Sequence, residues 1–159
     1  MISSKKAKGF TIVELLIVIV VIGILATLVI VTFAGIQKKG RDSQRQTDIN
    51  SVASHVEAFY AQYGYYPTHE DVTTASFLST YMKGLDAEAL KDPKGAAQEI
   101  IAGATPDADQ YSYLASGASA CVNTTVTDPT AVVTTNNGCD TFSVKALLEG
   151  GTTYEKKSN

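Results

Sequence analysis

The sequence predicts an α+β chain: one long N-terminal helix, apolar in its first half and amphipathic in its second, packed on a small antiparallel β-sheet head. Three observations carry this. Between Phe10 and Ile36 the only charged residue is Glu14; from Ile49 onward apolar residues recur at spacings of three and four; and beyond Gln110 short alternating segments are separated by glycines. With 159 residues there is room for one domain and one long extra element, not for two globular domains.

The charge-free run from Leu15 to Ile36 is about 22 residues long, and at 1.5 Å per residue it matches the roughly 30 Å hydrocarbon core of a bilayer. A membrane-spanning helix is the direct reading. A cleaved secretory signal needs a shorter apolar core and a small-x-small site at its end, which Thr32-Phe33-Ala34 approximates poorly. A plain membrane anchor fits the run but gives no reason for a carboxylate so close to its start. Flanking charge leaves orientation open, since Lys5, Lys6 and Lys8 precede the run and Lys38, Lys39, Arg41 and Arg45 follow it.

Past the span, Ile49, Val52, Ala53, Val56, Phe59, Tyr60 and Tyr63 form a helical stripe with polar residues between them. No proline occurs before Pro67, and Gly64 ahead of Tyr65-Tyr66-Pro67 supplies an end cap and a stop. One helix from Thr11 to Tyr63 is therefore expected, and its second half needs a head to cover the stripe. Ala75–Met82 and Asp86–Leu90 read as short connecting helices around Gly84 and before Asp92-Pro93. Gln110–Ala115, Ala120–Asn123 and Thr141–Leu148 read as strands, with Thr152–Tyr154 as a short last one; Ser116-Gly117 and Gly150-Gly151 are the turns. The threonine-rich stretch from Thr124 to Asn137 reads as a loop.

Cys121 and Cys139 come without a CxxC or Cys/His ligand spacing, so a metal or redox motif is not indicated. If the head lies outside the cytoplasm, the pair favours one disulfide closing the loop, worth about 3 kcal/mol on chain-entropy grounds; two unpaired buried cysteines are the alternative. That pairing in turn favours an outside head. The formal charge of minus 3, which becomes more negative if Lys5, Lys6 and Lys8 are lost, speaks against nucleic-acid binding through bulk electrostatics. His55 and His69 stand apart from partner residues, and Asp107 and Asp109 lack calcium-loop spacing. Tyr60, Tyr63, Tyr65 and Tyr66 read as packing aromatics, and Lys38, Lys39, Arg41 and Arg45 as a cationic band facing lipid headgroups or lying between subunits. No nucleophile elbow, zinc motif or phosphate loop is present. The chain reads as a non-enzyme without a cofactor.

The segment Lys5-Lys6-Ala7-Lys8-Gly9-Phe10-Thr11-Ile12-Val13-Glu14-Leu15 joins a basic leader, a glycine, an aromatic and a single carboxylate at the head of an apolar helix. It resembles the class III signal sequence of type IV pilins and of the pseudopilins of type II secretion and DNA-uptake systems, and the short leader with Phe10 is similar to the type IVa group. The resemblance implies the pilin fold and four parts: a leader (1–9), a hydrophobic assembly helix (10–36), its amphipathic continuation (37–63) and an α/β head (64–159). It also implies cleavage by prepilin peptidase between Gly9 and Phe10 and methylation of the Phe10 amine. Glu14 takes the place of the family's assembly glutamate. A carboxylate in an apolar phase is costly unless paired, and the Phe10 amine of a neighbouring subunit offers a partner during assembly. An intrachain pair four residues apart, or a simple helix-dipole position, are the other readings of Glu14. Asp92-Pro93-Lys94-Gly95 and Tyr111-Ser112-Tyr113 resemble elements of the major pseudopilins, whereas the cysteine-bounded loop is closer to the pilins.

The implied function is that of a structural subunit of a type IV pilus, inserted in the cytoplasmic membrane with its head outside and polymerised into an extracellular homo-oligomeric filament by an inner-membrane assembly platform. A pseudopilin of secretion or DNA uptake is the alternative, and a membrane-anchored binding domain the more distant one. Where many family members carry a proline in the apolar half, this helix has only Gly23 and Gly35 as weak points.

Overall fold

The computed structural model of the chain describes residues 9–95, 100–117, 121 and 139–158. Its architecture is α+β: a 52-residue helix α1 (Ile12–Tyr63), two short helices α2 (His69–Thr73) and α3 (Ala75–Tyr81), a 3₁₀ turn at Ala87–Leu90, and strands β1 (Ile101–Ala102), β2 (Ser112–Ser116), β3 (Thr141–Leu147) and β4 (Thr153–Lys157). Two compact units divide the chain between Lys38 and Lys39.

In the first unit, α1 is unbroken at Gly23 and Gly35, and Ile, Leu and Val are exposed around the whole helix. Hydroxyls inside this run satisfy themselves on the helix backbone: Thr27 Oγ1 donates to the Gly23 carbonyl at 2.9 Å and Thr32 Oγ1 to the Leu28 carbonyl at 2.8 Å. The run can therefore be apolar on its outside although it contains threonines.

In the second unit α1 buries Ile49, Val52, Ala53, Val56 and Phe59, and each fully covered aliphatic or Phe side chain is worth about 1.5–3 kcal/mol. Tyr60 lies off this stripe: it is 39% exposed and stacks on Tyr66 with ring centroids 4.4 Å apart. The period of 3.6 places residue 60 a full 100° from Phe59, onto the flank of the helix. α1 stops at Gly64, whose φ of +80° is open to glycine and whose N–H reaches the Tyr60 carbonyl at 2.7 Å.

The connecting helices form where local capping starts them. Thr68 caps α2 with a reciprocal box: its side chain accepts from the Asp71 N–H, and the Asp71 carboxylate accepts from the Thr68 N–H at 2.9 Å. α3 ends at Met82, and Gly84 at φ +93° turns the chain toward the 3₁₀ turn, which Asp86 caps through the Glu88 N–H at 3.0 Å. α2 had no counterpart in the sequence reading because five residues give too little period to read.

The sheet order is β1-β2-β3-β4. β2, β3 and β4 are antiparallel as expected, with Tyr113 opposite Val144 and Ala146 opposite Tyr154, and β3 alternates buried Phe142, Val144 and Ala146 with less covered neighbours. Gly151 at φ +82° makes the β3–β4 turn. The wholly antiparallel sheet is corrected at one edge, where β1 runs parallel to β2: Ile101 N–H donates to Tyr111 O at 2.8 Å and Gly103 N–H to Tyr113 O at 3.0 Å. The sheet is thus mixed. Parallel neighbours normally need a crossover of a dozen residues or more, and the shorter return through 103–111 suffices because only two residues pair. β4 runs on to Lys157, beyond the Tyr154 expected. The expected strand at 120–123 and loop at 124–137 fall, apart from Cys121, outside the described residues.

Tyr111, Tyr113, Phe142 and Val144 of the sheet meet the α1 stripe in one core that also takes in Val72, Phe77, Met82, Leu90 and Ile100. A chain of rings around Phe59 lines its upper end, with Tyr63 at 4.6 Å, Tyr65 at 5.4 Å and Phe77 at 5.4 Å.

Candidate functional site

The head of α1 is the first region of interest. Gly9 and Phe10 are exposed, and Phe10 keeps 78% of its surface accessible. Thr11 and Glu14 form a capping box: the Thr11 N–H and hydroxyl donate to Glu14 Oε2 at 2.9 and 2.6 Å, and the Glu14 N–H donates to Thr11 Oγ1 at 3.2 Å. The box satisfies helix-terminal donors that would otherwise face an apolar phase unpaired. Glu14 thus has an intrachain partner in Thr11. The Thr-x-x-Glu spacing in the sequence is the signal for it, and sequence reasoning passed over it in favour of charge pairing.

The second region is a buried ionic cluster at the start of the folded unit. Arg45 is 1% exposed and holds Asp92 with two bonds, Nε to Oδ2 at 2.6 Å and Nη2 to Oδ1 at 2.9 Å, while its Nη1 reaches Asp42 Oδ1 at 3.0 Å. Asp92 Oδ1 also accepts from the Lys94 N–H at 2.9 Å, which fixes the Asp92-Pro93-Lys94-Gly95 turn. One helical turn lower, Arg41 Nε donates to Glu149 Oε1 at 2.6 Å, and the Glu149 N–H donates to Asp42 Oδ1 at 2.9 Å. One turn of α1 therefore fastens both the Asp92 turn and the β3–β4 turn. The reading of Arg41 and Arg45 as part of a cationic band facing lipid headgroups or lying between subunits is corrected: Arg45 is buried and Arg41 half-buried, and each is paired within the chain because the carboxylates of distant loops converge on them.

Charge in this cluster is finely set. The hydrogen bonds that it donates to Asp92 hold the Arg45 guanidinium protonated more firmly than usual, outweighing its burial. The Arg41 hydrogen bond holds the Glu149 carboxyl below the ordinary carboxylate range. Burial pushes the Asp48 carboxyl up, against the hydrogen bond that it accepts from the Tyr111 hydroxyl at 2.9 Å. Tyr111 is raised in turn by its own burial and by Asp48.

The remaining candidates are structural. Cys121 and Cys139 form a disulfide, and Cys139 is fully buried in a β-bridge to Tyr66, whose N–H reaches the Cys139 carbonyl at 2.8 Å. His55 Nδ1 lies 2.9 Å from the Ser51 carbonyl and His69 Nε2 lies 2.7 Å from the Ile100 carbonyl. Asp109 pairs with Lys94 at 3.5 Å. Among the described residues no group of three or more His, Cys, Asp or Glu is arranged to hold a metal ion. By length and composition α1 is apolar enough to cross a membrane.

Comparison with known proteins agrees with the N-terminal signal. Residues 4–30 match the prokaryotic N-terminal methylation motif. The chain is similar to the type II secretion system core protein G of Dickeya chrysanthemi, 28% identical over 119 residues that cover 69% of this chain and 78% of that protein. The core protein G of Escherichia coli strain K12 is 32% identical over 66 residues, covering 42% of this chain and 46% of the relative. That of Pectobacterium carotovorum subsp. carotovorum is 32% identical over 68 residues, covering 43% and 44%. For these two the chain spans less than half of the relative's length. No solved structure matches the chain significantly. The methylation motif at the head of α1, the pilin-like α+β fold and the likeness to core proteins G together support membership of the type IV pilin-like family.

Proposed function

We propose that the chain is a pseudopilin: a structural subunit of a type II secretion or related fibre, in place of the type IV pilus subunit that the N-terminal segment first suggested. All three relatives described above carry the name type II secretion system core protein G, and this favours the secretion reading. The observation that carries the structural role is α1 itself, whose first half is apolar on every side and is left exposed by the described residues. A helix of that kind needs either lipid or other helices around it.

In this reading prepilin peptidase cuts between Gly9 and Phe10 and methylates the new amine. The subunit waits in the cytoplasmic membrane with its disulfide-bonded head outside, and an inner-membrane assembly platform draws it into the fibre. Glu14, released from Thr11, meets the Phe10 amine of a neighbour, where the low-dielectric setting makes an unpaired carboxylate expensive and so checks register.

The test is intact mass and N-terminal sequencing of the protein from its own host, with a deletion strain assayed for secreted proteins and for sheared surface fibres. Methylated Phe10 as first residue, with secretion lost and surface fibres unchanged, supports the proposal. Loss of surface fibres with intact secretion returns the chain to the pilus reading, and an uncleaved N-terminus overturns both.

A further inference from the structure

We propose that the groove between the outer flank of α1 and the C-terminal end of α3 is a binding site for an acidic sugar, a pyranose that carries a carboxylate. The groove has a volume of about 460 Å³, within the range of small-ligand sites. It lies wholly within the folded unit, and the apolar half of α1 contributes nothing to it.

Three features of its lining match three features of such a ligand. The first is charge. Lys83 is exposed and makes no ion pair among the described residues, and none of the described residues lining the groove is a carboxylate. An ammonium group in that setting favours an anion, and the charge-assisted hydrogen bond it donates is of the stronger kind. The second feature is an unused acceptor. His55 Nδ1 lies 2.9 Å from the Ser51 carbonyl, which can only accept, so the ring proton sits on Nδ1 and Nε2 carries a lone pair. Nε2 faces Gly84, 3.8 Å from where a Cβ at that residue would stand. With the exposed Gln62 amide two helical turns along α1, it supplies both the acceptor and the donor that neighbouring sugar hydroxyls require. The third feature is aromatic surface. Tyr63 and Tyr81 both line the groove, with ring planes at 88° and centroids 5.9 Å apart. An occupant of that corner meets a ring face, on which the C–H face of a pyranose packs while its hydroxyls stay free for polar partners.

An acidic peptide carries the same charge but matches the groove less well. Both walls are helical, so their backbone groups are already bonded and a peptide main chain finds no strand edge to pair with. A sugar needs only side-chain donors, acceptors and ring faces. An open groove with one cation makes a weak site. Repetition offsets this: on the fibre reading above every subunit presents the same groove, and one polysaccharide chain spanning several of them is held through effective concentration.

A saturation-transfer NMR titration of the full chain in detergent micelles tests the site, with a tetrasaccharide of alternating glucuronate and N-acetylglucosamine as the probe. The expected result is saturable binding at least tenfold tighter than that of maltotetraose, a neutral sugar of the same length. Lys83→Gln weakens binding of the acidic probe about tenfold and His55→Phe about fivefold, whereas Lys156→Gln, at a lysine that lines a different groove beside α1, leaves it unchanged. Lys83 is exposed, so its variant decides the matter whether or not His55→Phe folds. Lys83→Gln binding like the parent, maltotetraose binding as tightly as the acidic probe, or no saturation of the parent up to about 10 mM overturns the proposal. A tetraglutamate peptide that binds more tightly than the tetrasaccharide, with the same dependence on Lys83, overturns the sugar in favour of an acidic peptide. Failure of the fibre reading removes the repetition and leaves the single-site titration as it stands.

Discussion

Residues 12–36 and the core of the folded unit draw on the same apolar residue types and use them in opposite ways. In the first, Ile, Leu and Val face outward around the entire helix; in the second, Ile49, Val52, Val56 and Phe59 share one stripe and are closed off by Tyr111, Tyr113, Phe142 and Val144. The difference teaches that hydrophobic content does not set burial; what sets it is whether polar residues recur between the apolar ones. Where they do, the helix has an inside and an outside, and the chain itself supplies the cover. Where they do not, the cover has to come from lipid or from other copies.

The contrast is sharpest under matched substitutions. Phe59→Ala is expected to cost the folded unit about 3–5 kcal/mol, the usual range for emptying a buried aromatic site. Phe33→Ala, with the same atoms removed, should stay within about 0.5 kcal/mol. Urea unfolding of the full chain in detergent, followed by the near-UV tyrosine signal, reads both, and equal losses would break the comparison.

Arg45→Met is expected to cost about 3–5 kcal/mol because Asp92 is left buried without its partner, and adding Asp92→Leu should recover much of the loss. The unfolding midpoints of the single and double variants check this; a single variant as stable as the parent would mean that the cluster is solvated. Replacing both cysteines by serine should remove about 2–4 kcal/mol from the head, seen as the same shift that a reductant produces in the parent.

The smallest effects are in pH dependence. The Asp48 carboxyl is raised by burial, so the folded state binds its proton more tightly than the unfolded chain does. Its contribution is complete below the unfolded pKa and is lost as pH rises through the folded value. Glu149, lowered by Arg41, contributes above its unfolded pKa and loses that contribution as pH falls through the folded value. Asp48→Asn should therefore gain relative to the parent as pH rises above the ordinary carboxylate range, and Glu149→Gln should lose relative to the parent at lower pH, as pH rises from the depressed folded value into that range. Melting temperatures on both sides of the ordinary carboxylate range give the two signs directly.

Long patterns were legible in the sequence and short ones were not. The end of α1 at Tyr63 followed from Gly64 and Pro67, and the buried alternation of β3 from Phe142, Val144 and Ala146. β1 and α2 were missed, since two and five residues carry no usable period. Burial of Arg45 was invisible for another reason: its partners Asp92 and Glu149 lie far off in sequence, and a lone arginine on a helix gives no sign that distant carboxylates will reach it. At the head of α1 the motif matched over residues 4–30 was legible in the sequence, while the Thr11–Glu14 box was present in the spacing and went unread.

The Cys121–Cys139 bond makes the intervening segment 122–138 a covalent ring, fastened at Cys139 to the Tyr66 backbone just past the end of α1. The closure cost of a loop grows only with the logarithm of its length, about 0.6 kcal/mol for each doubling. Residues can therefore be added to this ring or removed from it with little effect on the core that anchors it.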